Sequence, residues 1–141
     1  MPILRFYDEE QRLGLWVWSG ELTAEMWQTG ARANQVDPNL RAMRRVLVDI
    51  RRAQLDESID VEAVRLVAKQ WADNGGLAGK PVAVVASSGF WIARTFEEAM
   101  TSEGGRVIVF NDLHTACIWI DIDPVATRHR LEQMTSELGE H

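Results

Sequence analysis

The sequence predicts an α/β protein: a mixed, mostly parallel five-stranded sheet that opens with an antiparallel hairpin and is flanked by helices. Three observations carry that prediction. Two apolar runs near the start, ILRFY at 3–7 and LGLWVWSG at 13–20, are separated only by the polar DEEQR, the spacing of a hairpin. Three further β-branched runs, RVLVDI at 45–50, PVAVVAS at 81–87 and RVIVF at 106–110, alternate with stretches of helical periodicity. Connections that long join parallel neighbours through right-handed crossovers, which yields a layered α/β architecture.

Each element has a local reason. In the second strand Leu13, Leu15 and Val17 alternate with Trp16 and Trp18, so both faces are apolar and both must be covered. Thr23 is placed to accept the first free amides of a helix in GELTAEMWQTGARANQV, where Leu22, Met26, Gly30 and Ala33 recur at helical spacing. Asp37-Pro38-Asn39 breaks that helix. From about 60 to 74, Val61, Val64, Ala68 and Trp71 form one stripe, and the glycines of NGGLAGKP end it in a tight return. GFWIARTFEEAM aligns Ile92, Phe96 and Ala99, and Asn111 or Asp112 caps a helix in NDLHTACIWI. Beyond Asp123-Pro124, residues 124–141 carry the narrow stripe Leu131, Met134 and Leu138, which predicts a terminal helix docked on the body 1–123 or on another subunit.

Composition bounds the rest. A chain of 141 residues fits one domain and buries enough surface to fold without staples, and one cysteine, Cys117, permits no internal disulfide. A reducing, cytoplasmic setting is the expectation. Asp8, Glu9 and Glu10 interrupt any leader-like apolar segment, and VAVVA is far short of a membrane span of roughly 20 residues. Net charge is −6, and the surplus lies in the last third: residues 97–141 hold nine acids against three arginines. Nucleic acid is therefore not expected as a partner, because phosphate neutralisation supplies most of that affinity.

No pattern of nucleophile, base or metal ligand emerges. Ser88 stands where a strand hands over to a helix, the edge at which α/β proteins bind ligands, but Ala86 and Phe90 occupy the positions of the glycines in a nucleophile elbow. Joining Ser88, His114 and Asp49 into a triad has no support in spacing. GLAGKP has the wrong glycine spacing, and proline follows Lys80, so it is a turn rather than a phosphate loop. His114, His129 and His141 lack metal-ligand spacing, and no cofactor is expected. Arg41, Arg44, Arg45, Arg51 and Arg52 read as a solvated cluster paired locally with Asp49, Asp56 or Glu57, with a site for an acidic partner or an anionic head group as the alternative.

Two features hold functional interest. The six tryptophans, Trp16, Trp18, Trp27, Trp71, Trp91 and Trp119, first suggest core packing. An aromatic-lined pocket or a subunit interface built on Trp16 and Trp18, with Ser88 nearby, is the alternative. The second feature is Ser58, set among Asp56, Glu57, Asp60 and Glu62; those acids would repel a phosphate, so Ser58 or Asp60 reads as a helix cap.

The strands ending at SGELT and RVLVDIR, the strand PVAVVASS and the closing RVIVFNDLHTACIWI, with Ala116 and Trp119 on its helix, together resemble the SpoIIAA-like branch of the STAS (anti-sigma-factor antagonist) superfamily, which is related to CRAL-TRIO domains. The resemblance covers roughly residues 3–122. It implies a non-enzymatic regulatory domain that acts by binding a protein partner through a phosphorylatable loop that maps to Asp56 and Ser58; a homodimer is a separate expectation. Glu57 and Ile59 stand where that loop carries other residues. The CRAL-TRIO side implies instead a carrier of a small lipophilic molecule.

Overall fold

The computed structural model describes residues 3–73, 79–87 and 90–139. Among them the chain forms strands β1 (Ile3–Asp8), β2 (Leu13–Leu22), β3 (Arg45–Leu55), β4 (Pro81–Val85) and β5 (Arg106–Phe110). The helices are α1 (Ala24–Gln35), α2 (Pro38–Ala42), α3 (Val61–Asp73), α4 (Phe90–Ser102), α5 (Leu113–Trp119) and α6 (Pro124–Gly139). Much of the predicted turn NGGLAGKP, together with Ser88 and His141, lies outside the described residues.

The strands stand side by side in sequence order, β1 antiparallel to β2 and every later neighbour parallel, as the sequence predicts. That order has a consequence. Each right-handed crossover steps to the next strand in the same direction, so all three crossovers lie on one face of the sheet. Side chains of α1, α3 and α4 accordingly share one core with Trp16, Trp18, Val46, Val48, Val82 and Val84. The other face, carrying Leu13, Leu15, Val17, Leu47, Ala83 and Val85, is closed by α5 and α6. β2 is thus covered on both sides, which its two apolar faces require.

Caps and clips fix these helices. Thr23 Oγ1 accepts the Met26 amide at 3.2 Å, and Asp112, rather than Asn111, caps α5 by accepting the Thr115 amide at 3.0 Å. Asp37-Pro38-Asn39 ends α1 but also starts α2: Asp37 is its cap and Pro38 its first residue, where a missing amide hydrogen costs nothing. Asp37 further accepts the Tyr7 hydroxyl at 2.7 Å, and burial together with that carboxylate pushes the phenol well above its ordinary range. The α1 stripe is turned by one residue from the expected one. Trp27, Ala31 and Asn34 are buried while Ala33 is exposed, because the largest side chain takes the inward position and Asn34 meets Arg5 Nη2 at 3.1 Å.

The terminal helix folds back on its own chain. Leu131 and Met134 are buried, with Leu138 packed beside them, against the Leu13, Leu15 and Val17 face of β2.

β3 runs five residues beyond the predicted 45–50, and its extension contains a bulge. Val17 pairs with Asp49 and Ser19 with Arg52, so two steps along β2 match three along β3. The extra residue changes the phase of the strand. Val46, Val48 and Ile50 face the tryptophans before it, and Ala53 and Leu55 do so after it.

Candidate binding site

The parallel strands β3, β4 and β5 end at one edge of the sheet, where open α/β sheets bind ligands. The loop from Asp56 to Asp60 connects β3 to α3 at that edge. Asp56 Oδ1 accepts the Ser58 amide at 2.6 Å, and hydrogen bonds from the Ser58 hydroxyl and amide hold the Asp56 carboxyl below the usual carboxylate range. Asp60 Oδ1 accepts the Ala63 amide at 2.9 Å and is therefore the cap of α3. Ser58 serves a different helix: its Oγ accepts the Ala24 amide at 2.9 Å, filling an otherwise open donor in the first turn of α1. The serine read from sequence as a local cap is a tertiary one, 34 residues away along the chain.

Beside this loop lies a cleft of about 600 Å³ with apolar walls of Leu55, Ile59, Trp91 and Ile92 and an acidic rim of Asp56, Glu57 and Asp60. Trp91 is 63% exposed, more than any other aromatic residue described. Leu55, Ile59 and Ile92 are shared with a small apolar void behind the cleft, about 40 Å³, walled by Trp18, Trp27, Trp71, Val84 and Phe96.

The rings around that void form a chain of tilted and edge-to-face contacts. Trp18 and Trp27 lie 6.3 Å apart, Trp27 and Phe96 5.3 Å, Phe96 and Trp71 5.0 Å, and Trp71 and Trp16 5.8 Å, all within the range at which aromatic pairs attract. The indole N–H groups of Trp18, Trp27 and Trp71 are buried without a hydrogen-bond acceptor among the described residues. Each such donor costs about 1–3 kcal/mol, a cost that the apolar area of the ring offsets.

The sequence-predicted site residues separate here. Trp18 lines the void, whereas Trp16 is fully buried, stacked beneath the Arg5 guanidinium at 5.1 Å, and lines neither cavity. Asp56 belongs to the cleft, and Ser58 braces it. Ser88 lies outside the described residues. Trp91, the exposed ring of the cleft, is not distinguished from the other five tryptophans by composition alone. Its signal was there: on the helix it falls off the Ile92–Phe96 stripe and shares a side with Thr95 and Glu98.

The predicted arginine cluster is divided by the length of β3. Arg45 donates to the carbonyls of Gln11, Ile120 and Asp121 at one end of the strand, while Arg51 pairs with Asp49 near the other. Burial raises the Cys117 thiol above its ordinary range, which leaves it a weak nucleophile. Among the described residues no three His, Cys, Asp or Glu side chains are grouped to hold a metal ion, and no helix is long and apolar enough to cross a membrane.

The chain matches no protein-family model, and no curated protein matches it. What defines it is therefore its own architecture: an α/β domain with an apolar, acid-rimmed cleft at the carboxyl ends of its parallel strands.

Proposed function

We propose that this chain is a non-enzymatic binding module that docks a protein segment in the cleft around Trp91. The observation that carries the reading is the exposure of that one indole between Leu55, Ile59 and Ile92, since a large ring in a partly enclosed apolar setting is the usual anchor of a protein interface. Asp56, Glu57 and Asp60 on the rim select a segment with an apolar side chain flanked by lysine or arginine. The loop is the one that the STAS resemblance marks as regulatory, and a phosphate on Ser58 would break its bond to Ala24 and add charge to the rim. Selection of a random-peptide display library against the full chain tests this. Expected is enrichment of apolar residues flanked by basic ones, with affinity falling at least about tenfold in Trp91→Ala. Peptides that bind wild type and Trp91→Ala equally, or no enrichment, would overturn it.

A small apolar ligand is the second reading, favoured by the wholly apolar wall of the inner void. At about 40 Å³ that void is well below the roughly 150 Å³ that holds benzene, so a ligand would have to displace side chains to enter. The small size of the void supports the first reading over this one.

A further inference from the structure

The face opposite the tryptophans carries its own cleft, about 800 Å³, in the size range of small-molecule sites and lined by more charged side chains than the first. Its floor is the β3 bulge. In a regular strand Arg51 and Arg52 would point to opposite faces, but the extra residue lets both line this cleft. Arg128 of α6 and His114 of α5 line it from the helices above.

Arg51 is held in place. Its Nε donates to Asp49 Oδ1 at 2.9 Å and its Nη2 to Asp49 Oδ2 at 3.0 Å, and the Asp49 side chain is only 5% exposed. That two-point pairing fixes the plane of the guanidinium, while Nη1 makes no hydrogen bond among the described residues. Arg52 and Arg128 pair with no carboxylate among the described residues, where the ion pairs are Arg51–Asp49 and Arg94–Glu97. The acids on the wall are mostly committed: Asp49 to Arg51, and Asp112 to the amide and hydroxyl of Thr115. Asp112 keeps its negative charge while accepting those bonds, and Glu132 is a second opposing charge on the wall. An arginine fork aimed by a buried carboxylate, two arginines without an ion-pair partner among the described residues and a histidine bring the donors that an oxyanion needs into one concavity.

We propose that this cleft binds a small organic anion through a phosphate or carboxylate head group, with Arg51 as the oriented fork and Arg52 and Arg128 as flanking charges. The site is separate from the Trp91 cleft and does not depend on it.

Isothermal titration of the full chain with pyrophosphate and with citrate, at ionic strength held constant with sodium chloride, tests the proposal and tells the two head groups apart. Saturable binding of at least one probe, tighter than about 1 mM, is expected. Arg52→Gln and Arg128→Gln leave the Arg51–Asp49 pair intact, and each should weaken binding about tenfold, the scale of one charge-assisted contact. Trp91→Ala should leave it unchanged. Absence of saturable binding to both probes, loss of binding in matched chloride, or equal affinity in the folded Arg52 and Arg128 variants would overturn the assignment.

Discussion

The face of the sheet beneath α1, α3 and α4 buries Trp16, Trp18, Trp27, Trp71 and Phe96, while the face beneath α5 and α6 buries aliphatic side chains and Cys117, with the rings of Phe6, Phe110 and Trp119 only partly buried against them. The contrast follows from topology. The three crossover connections lie on one side, and their helices meet the sheet there through the large rings. The second face receives only the seven-residue α5 and the terminal α6, which bury smaller side chains. On β3 the step after Leu47 on this face is the charged Asp49, where the opposite face continues with Ile50. The difference teaches where each kind of ligand can go: the aromatic face offers a nearly full interior beside a cleft walled by Leu55, Ile59, Trp91 and Ile92, and the other offers a cleft lined by arginines and acids.

The comparison can be broken most forcefully on the aromatic side. Trp71 touches both Trp16 and Phe96, so Trp71→Ala removes the link between two ring pairs and leaves a cavity. It should cost about 3–5 kcal/mol, read as a fall in the denaturant midpoint of unfolding. A loss below about 1 kcal/mol would mean that the rings are not the core of this face.

On the polar side, Arg51→Ala leaves the Asp49 carboxylate buried without its cation. The expected loss is about 3 kcal/mol, and adding Asp49→Asn should recover part of it, because the penalty lies in the stranded charge rather than in the lost contact. Equal stability of the single and double variants in urea unfolding would show that water already reaches Asp49.

The smallest expected effect sharpens the role of the loop between the faces. Ser58→Ala should destabilise by about 1 kcal/mol, the usual worth of a helix-end hydrogen bond, and should increase amide exchange at Ala24. Unchanged exchange there would remove Ser58 from α1 and return it to its own turn.

Much of the fold was legible in local pattern. Alternation at Leu13 to Trp18 announced a strand covered on both sides, and Thr23, Asp112 and Asp123-Pro124 announced helix starts, because a cap or a period is a property of neighbouring residues. The α1 stripe lies one position from the expected one because Trp27 and Met26 both fit a helical repeat, and only the packing of the helix on the sheet decides between them. The candidate site is legible only in parts: of the residues the sequence singles out, Asp56 lines the cleft, Trp18 the inner void and Trp16 neither, while the exposure of Trp91 depends on how α4 packs.

The sequence by itself determined the order of strands and helices, the hairpin and the double cover of β2, since each follows from spacing within a short window. Tertiary structure alone decided that Ser58 would cap a helix 34 residues away, that a bulge would turn Arg51 and Arg52 to one side, and that α6 would close on its own chain. The physical reason is the same for all three. A hydrogen bond, a register shift or a docked face depends on which distant surfaces meet, and that is fixed only when the whole sheet and its two layers pack together.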